Sequence, residues 1–258
     1  MKPNIAIYSI CYNEEYMLPF YLEHYQVFAE AITIIDNHST DNSVAIAKAA
    51  GVNVEYFESG NEIRDDIMQT VKNTCWTRSK GVHDWVIVVD IDELLYHDNL
   101  MPFLQHNNHI TMFDTTGYHM LCDKLPVFGC GALCKQVRYG SPDVLCNKPC
   151  MFNPAKLAET GFTVGCHGAN PIAEVNRRSQ RNRRVRHSNV LRRKDTGQLK
   201  LLHYDYLTLD YRIQKCQRRG KRQSALNREQ RWATQYDQSV ATLTDDYHQK
   251  YKSAIIVC

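Results

Sequence analysis

The sequence predicts an α/β fold, a mixed and mainly parallel sheet flanked by helices, with further helices at its C-terminal end. Three observations carry this. Apolar runs of strand length alternate with runs of helical spacing through the first hundred residues, the pattern of βα units joined by right-handed crossovers. The run WVIVVDIDELL at residues 85–95 sets five apolar residues, mostly β-branched, directly before Asp90, Ile91, Asp92 and Glu93, as in a strand buried on both faces. Polar residues also collect where each of the first four strands ends, on what would be one rim of the sheet.

The elements follow in order. Residues 4–10 form a strand ending in CYNEE. Residues 16–29 form a helix with Leu18, Tyr21, Leu22, Tyr25 and Phe28 at helical spacing, and Pro19 is tolerated in its first turn. A strand over 31–35 closes at Asp36. Ser39 is the expected N-cap of a helix over 40–50, and Gly51 its stop. A strand over 52–57, a helix over 61–80 ended by Gly81, and the strand over 85–89 complete the series. Beyond residue 105 the pattern changes to short strands at 110–113, 133–139 and 149–152, separated by turns rich in Gly, Pro and Asp. Residues 206–219 and 227–236 read as helices. Nothing in the composition marks a linker, so 1–258 reads as one domain.

The 258 residues carry a net charge of +3, divided unevenly. Acids outnumber bases 17 to 6 through residue 120, and bases outnumber acids 25 to 11 after it. The basic half peaks over 177–193, with eight arginines and no acid. That stretch is either a solvated loop or a flap that orders over an anionic ligand. No stretch approaches the ~18 apolar residues of a membrane span, and the N-terminus enters a strand without a signal-like apolar region, so a cytoplasmic protein is expected. Ten cysteines include Cys130/Cys134 and Cys146/Cys150 at four-residue spacing, within the loose range of zinc sites, but reduced thiols are the favoured state.

Alternation along a strand sends Asp90 and Asp92 to the same side, and two close carboxylates repel unless a cation lies between them. At the carboxyl end of a parallel strand this suggests a divalent-metal site suited to a diphosphate. The first strand is not followed by Gly-x-Gly-x-x-Gly, and no Gly-x4-Gly-Lys-Ser/Thr is present, which argues against a dinucleotide-binding domain and a P-loop enzyme.

Together, CYNEE, IIDNHSTDNS at 34–43 and WVIVVDIDELL resemble the GT-A glycosyltransferases of family 2, and most of all the subgroup whose Asp-x-Asp metal motif is followed by Glu and an apolar pair. KPCMFNP at 148–154 followed by Gly165-Cys-His167, and Leu202-His203-Tyr204 followed by residues 210–220, fit the same subgroup. The resemblance spans about residues 4–220. It implies a GT-A-like domain with a nucleotide-binding half at 1–105, an acceptor and metal-completing half at 106–220, and a helical extension at 221–258. It also implies an enzyme moving a sugar from a nucleotide-diphosphate donor to a glycan, lipid-linked or other hydroxyl acceptor with Mn or Mg, generally with inversion. By position, Asp36 would contact the base, with Asn13, Glu14 and Arg64 lining the nucleotide pocket. Asp90 would face ribose or metal, and Asp92 would ligate the metal, with His203 or His167 completing its shell. The base that takes the acceptor proton would be one of Asp123, Asp114 and Asp143. Peripheral contact with a membrane surface is compatible with this class.

Two other classes compete. A nucleotidyltransferase also sets Asp pairs at strand ends, but usually carries a Gly-rich loop near its first strand, and Tyr12-Asn13-Glu14-Glu15 is not one. A polyanion-binding protein would use residues 177–193, but that stretch lacks interleaved aromatics and the acidic half would repel nucleic acid, so no nucleic-acid partner is expected.

Overall fold

A computed structural model describes residues 2–174 and 191–258, so most of the arginine-rich stretch, and with it the expected flap, lies outside the described residues. The chain runs through β1 (Ile5–Cys11), α1 (Leu18–Gln26), β2 (Ala31–Asp36), α2 (Ser43–Ala49), β3 (Asn53–Tyr56), α3 (Asp65–Thr74) and β4 (Trp85–Asp90). These four strands lie side by side in the order β3-β2-β1-β4, all parallel, with Ile7 opposite both Ile32 and Ile87. All seven residues of β1 are buried. Its alternate side chains serve two cores. Ile5 and Ile7 pack with Ile87, Val89 and the α1 residues Phe20, Tyr21 and Tyr25, while Ala6 and Tyr8 pack with Val86, Val88, Trp76 and Phe152 on the other face. Burial on both faces is what the continuous apolar runs of β1 and β4 require.

The second half continues the same sheet. It adds β5 (Glu93–Tyr96), α4 (Leu100–His106), β6 (Met112–Leu121), α5 (Leu133–Gln136), β7 (Tyr139–Pro142), β8 (Met151–Phe152), β9 (Leu157–Glu159), β10 (Ile172–Ala173) and β11 (Arg193–His203). Then come α6 (Leu209–Gly220), α7 (Ala225–Glu229), α8 (Val240–Lys252) and β12 (Ile255–Ile256). The sheet reads β12-β7-β6-β8-β4-β1-β2-β3, β11 pairs parallel with β6 and antiparallel with β5, and β9 and β10 form a separate two-stranded sheet. The expected mixed, mainly parallel sheet flanked by helices is present.

Several local expectations are corrected. Ser39 does not cap α2; Asn42 occupies that position, and Ser39 bonds back to Asp36. Gly51 does follow the helix, at φ +73°. Residues 133–139 are not one strand: Leu133 and Val137 are both buried at a spacing of four, and a helical turn forms before β7 begins. The strand expected at 110–113 runs on through Leu121, because the polar DTTG segment alternates burial in step with its neighbours. β11 was not anticipated; its first residues belong to the basic run, and its register is set by β6 and β5. The helix expected over 227–236 stops at Glu229, and Arg231 and Ala233 follow in the left-handed region at φ 56° and 52°. The C-terminal extension is not only helical, since β12 returns to pair with β7. All ten cysteines are free thiols. No helix among the described residues is long and apolar enough to cross a membrane.

Candidate active site

The carboxyl ends of the parallel strands open into a cavity of about 520 Å³. Tyr12 and Glu14 enter it from the loop after β1, Asn37 from the end of β2, and Asp65 to Lys72 from α3. Asp90 and Asp92 enter from the end of β4. The opposite wall comes from the second half: Lys148, the segment from Val164 to His167, His203 at the end of β11, Arg218 and Arg219 in the last turn of α6, Arg222 just beyond it, and the loop from Arg231 to Tyr236. Ligands of open α/β sheets bind at this rim. Three residues without glycine's freedom, Cys166, Arg231 and Ala233, hold positive φ on the cavity wall, where strain is usually tolerated for function.

β4 ends at Asp90, and Asp92 lies in the turn beyond it, so the two carboxylates reach the cavity from a strand end and a turn rather than by simple alternation. Each is compensated by buried cations. Asp90 Oδ1 is 2.7 Å from Lys72 Nζ and its Oδ2 is 3.7 Å from Lys148 Nζ, which also meets Glu93 at 2.5 Å. Asp92 Oδ2 contacts Lys215 Nζ and stands 3.4 Å from His203 Nε2 and 3.8 Å from Arg219. Glu14 accepts from Arg219 at 3.1 Å. Burial would raise the Asp90 carboxyl, but the two ammonium groups outweigh it and hold it at about 2. Against the same effect of burial, Lys215 and His203 keep Asp92 well below the usual carboxylate range. Asp65 differs: it has no ion pair within 4.0 Å among the described residues, it bonds Asn227, and burial raises its pKa.

Of the residues singled out in the sequence, Glu14, Asp90, Asp92, His167 and His203 line the cavity. Of the two histidines, His203 is the one beside Asp92; His167 bonds the carbonyl of Leu145 through Nδ1. Asp36 does not line the cavity. It is fully buried and accepts from Ser39 N at 2.8 Å and Ser39 Oγ at 2.5 Å, so it closes the turn after β2. Asn13 staples the first loop to the second, its Oδ1 accepting from Thr40 N at 2.7 Å. Arg64 turns away to Asp66 at 2.7 Å. None of the three carboxylates weighed as base reaches the cavity. Asp123 is exposed and accepts from Tyr251 at 2.7 Å, Asp114 holds Arg193 at 2.6 Å, and Asp143 caps the turn before Cys146 while binding Lys250.

The sequence reading missed Asp65, Lys72, Lys148, Lys215 and Arg219. A signal existed on two helices. Asp65, Met68, Gln69 and Lys72 follow i, i+3, i+4, i+7 spacing on α3, and Arg212, Lys215 and Arg219 lie on one face of α6. A polar stripe normally faces water; here both stripes face inward.

No protein-family model matches the chain, and none of the curated proteins matches it. Among solved structures, a glucosyl-3-phosphoglycerate synthase from Mycobacterium tuberculosis, in complex with Mn2+, UDP and glucosyl-3-phosphoglycerate, is similar at 16% identity and a TM-score of 0.33, over 45% of this chain and 44% of that one. The same enzyme with Mn2+, UDP-glucose and phosphoglyceric acid aligns at 14% identity with the same TM-score and coverage. A further mycobacterial protein aligns at 15% and 0.32, over 46% of this chain and 41% of that one. The chain thus spans less than half the length of these structures, and so partial a likeness leaves the chemistry to its own side chains.

Proposed function

We propose that the protein is a glycosyltransferase that binds a nucleotide-diphosphate sugar in this cavity, with the GT-A architecture its sequence resembles. One observation carries the reading: at the carboxyl ends of parallel strands, the Asp90-x-Asp92 pair meets a wall of cations that includes Lys72, Lys148, Arg219 and Arg222, with Lys215 buried behind Asp92. Counting the acids and bases on the wall, cations prevail, which suits a ligand bearing several negative charges. A nucleotidyltransferase would share the metal motif, but the first loop has no Gly-rich phosphate cradle, and Asn13 and Glu15 instead bind it to the second loop.

Asp90 and Asp92 would hold the divalent cation, Mn or Mg. Their oxygens are hard donors, and the Asp90 side chain keeps 27% of its surface open to the cavity. The ion would offset charge on the departing diphosphate. Lys72 and Lys148, which now compensate Asp90, would turn toward phosphate oxygens, and Arg219, held by Glu14 and Tyr236, is positioned beside them. Nucleoside-diphosphate binding is expected to require Mn or Mg, and Asp90→Asn to weaken it at least about tenfold, about 1.4 kcal/mol. Calorimetry with UDP and GDP, with and without metal, checks this; metal-independent binding of equal strength in both proteins would remove the metal assignment.

Transfer also needs a group to take the acceptor hydroxyl's proton. We assign it to Asp65, the cavity carboxylate that has no ion pair within 4.0 Å among the described residues and bonds Asn227 instead. Asp65→Asn is expected to lower the transfer rate about 100-fold or more with donor affinity little changed. Loss of donor affinity with transfer retained would instead make Asp65 part of the nucleotide wall. The acceptor is read only as a hydroxyl compound, with a single inverting displacement as the expected course.

A further inference from the structure

A second cluster lies behind the cavity wall. His119 on β6 and His203 on β11 are direct neighbours in the parallel ladder, with ring centroids 5.5 Å apart. The turn after β7 brings in Cys146, whose Sγ is 3.6 Å from Nδ1 of His203 and stands nearly midway between the two nitrogens of His119, 3.6 and 3.4 Å away. Asp205 places Oδ1 2.8 Å from His119 Nδ1 and 3.4 Å from His203 Nδ1, while Arg212 occupies its Oδ2 at 2.8 Å. His119, Cys146 and Asp205 are buried.

Cys146 and the two histidines offer three ligand atoms that all lie within 4.8 Å of one another, and their sulfur–nitrogen separations suit a single ion. Metal–sulfur bonds of about 2.3 Å and metal–nitrogen bonds of about 2.0–2.1 Å put tetrahedral ligand atoms roughly 3.3–3.6 Å apart. A carboxylate stands behind each ring: Asp205 is 2.8 Å from Nδ1 of His119, and Asp92 is 3.4 Å from Nε2 of His203. A carboxylate behind each imidazole fixes its tautomer and strengthens it as a ligand. One thiolate and two imidazoles form a borderline-soft donor set that suits zinc better than Mg or Mn.

We propose that His119, Cys146 and His203 bind one Zn2+, which clamps the 143–147 turn and the end of β11 to β6. The three ligands come from β6, the turn after β7 and β11, so the ion ties these elements together, and through His203 Nε2–H it orients Asp92 at the cavity. The site does not depend on the donor reading, because its readout is metal content rather than nucleotide binding.

The full-length protein, incubated with ZnCl2 and desalted, is expected to retain one equivalent of zinc. Cobalt(II) in its place is expected to give a near-ultraviolet thiolate-to-metal band that Cys146→Ser abolishes and Cys130→Ser, at an exposed thiol, leaves unchanged. Should Cys146→Ser fail to fold, the wild-type protein still decides: chelation should lower its melting temperature, and zinc, but not magnesium, should restore it. No retained zinc and no thiolate band in the wild type, or a band that survives Cys146→Ser, would overturn the site.

Discussion

Asp92→Asn is expected to cost about 3–5 kcal/mol of folding stability in addition to donor binding. The Asp92 side chain is 2% exposed, and so is that of Lys215, its partner. Removing the negative charge strands Lys215 with Glu14 at 4.0 Å as its next acid, and also deprives Arg219 and His203 of a neighbour. A buried cation left uncompensated is what makes breaking such pairs expensive. Asp90→Asn should be milder, because Asp90 faces the cavity and Lys148 retains Glu93. Replacing both partners, Asp92→Asn with Lys215→Met, should recover much of the loss, since no unpaired charge then remains. Urea unfolding of the three variants tests the scheme. An Asp92→Asn protein within about 1 kcal/mol of wild type, near the ordinary value for a single hydrogen bond, would mean that the Asp92–Lys215 pair is not a structural element.

The contrast shows where the sequence is informative. The βα series was legible because β1 and β4 are buried on both faces and announce themselves as unbroken apolar runs. The rim was legible because Glu14, Asp90 and Asp92 follow those runs directly. The cations were not, because Lys72, Lys148 and Lys215 look like surface residues until topology turns their helix faces and loops inward. Asp36 misled for the opposite reason. It holds the expected position at the end of β2, but Ser39 claims both of its oxygens. The Cys146/Cys150 spacing misled in the same way: Cys150 points into the core, and Cys146 meets histidines 27 residues before it and 57 after it. Partners that distant are joined by strand register, which local patterns do not encode.

That register depends on a close approach that gives the second large prediction. Gly117 on β6 lies under the turn carrying Cys146, and a Cβ there would come within 2.1 Å of the Cys146 carbonyl oxygen. Gly117 N also donates to Asn147 Oδ1 at 2.7 Å, and Asp143 N donates to the Gly117 carbonyl at 3.1 Å, so the turn is held on the strand from both sides. Alanine in a strand ordinarily gains about 0.5–1 kcal/mol over glycine. Here the obstacle is backbone, which cannot rotate away, and Gly117→Ala is expected to destabilise by about 3 kcal/mol, the upper end of the usual overpacking range. Gly168→Ala is the matched control. Its nearest neighbour would be Thr163 at 3.5 Å, an ordinary contact, so its unfolding midpoint should hold or rise slightly. Because the turn must lift to admit the methyl group, Gly117→Ala should also expose the Cys146 thiol, which is 3% accessible, to a thiol reagent under native conditions. A Gly117→Ala protein as stable as wild type, with Cys146 still protected, would show that the turn does not rest on this strand.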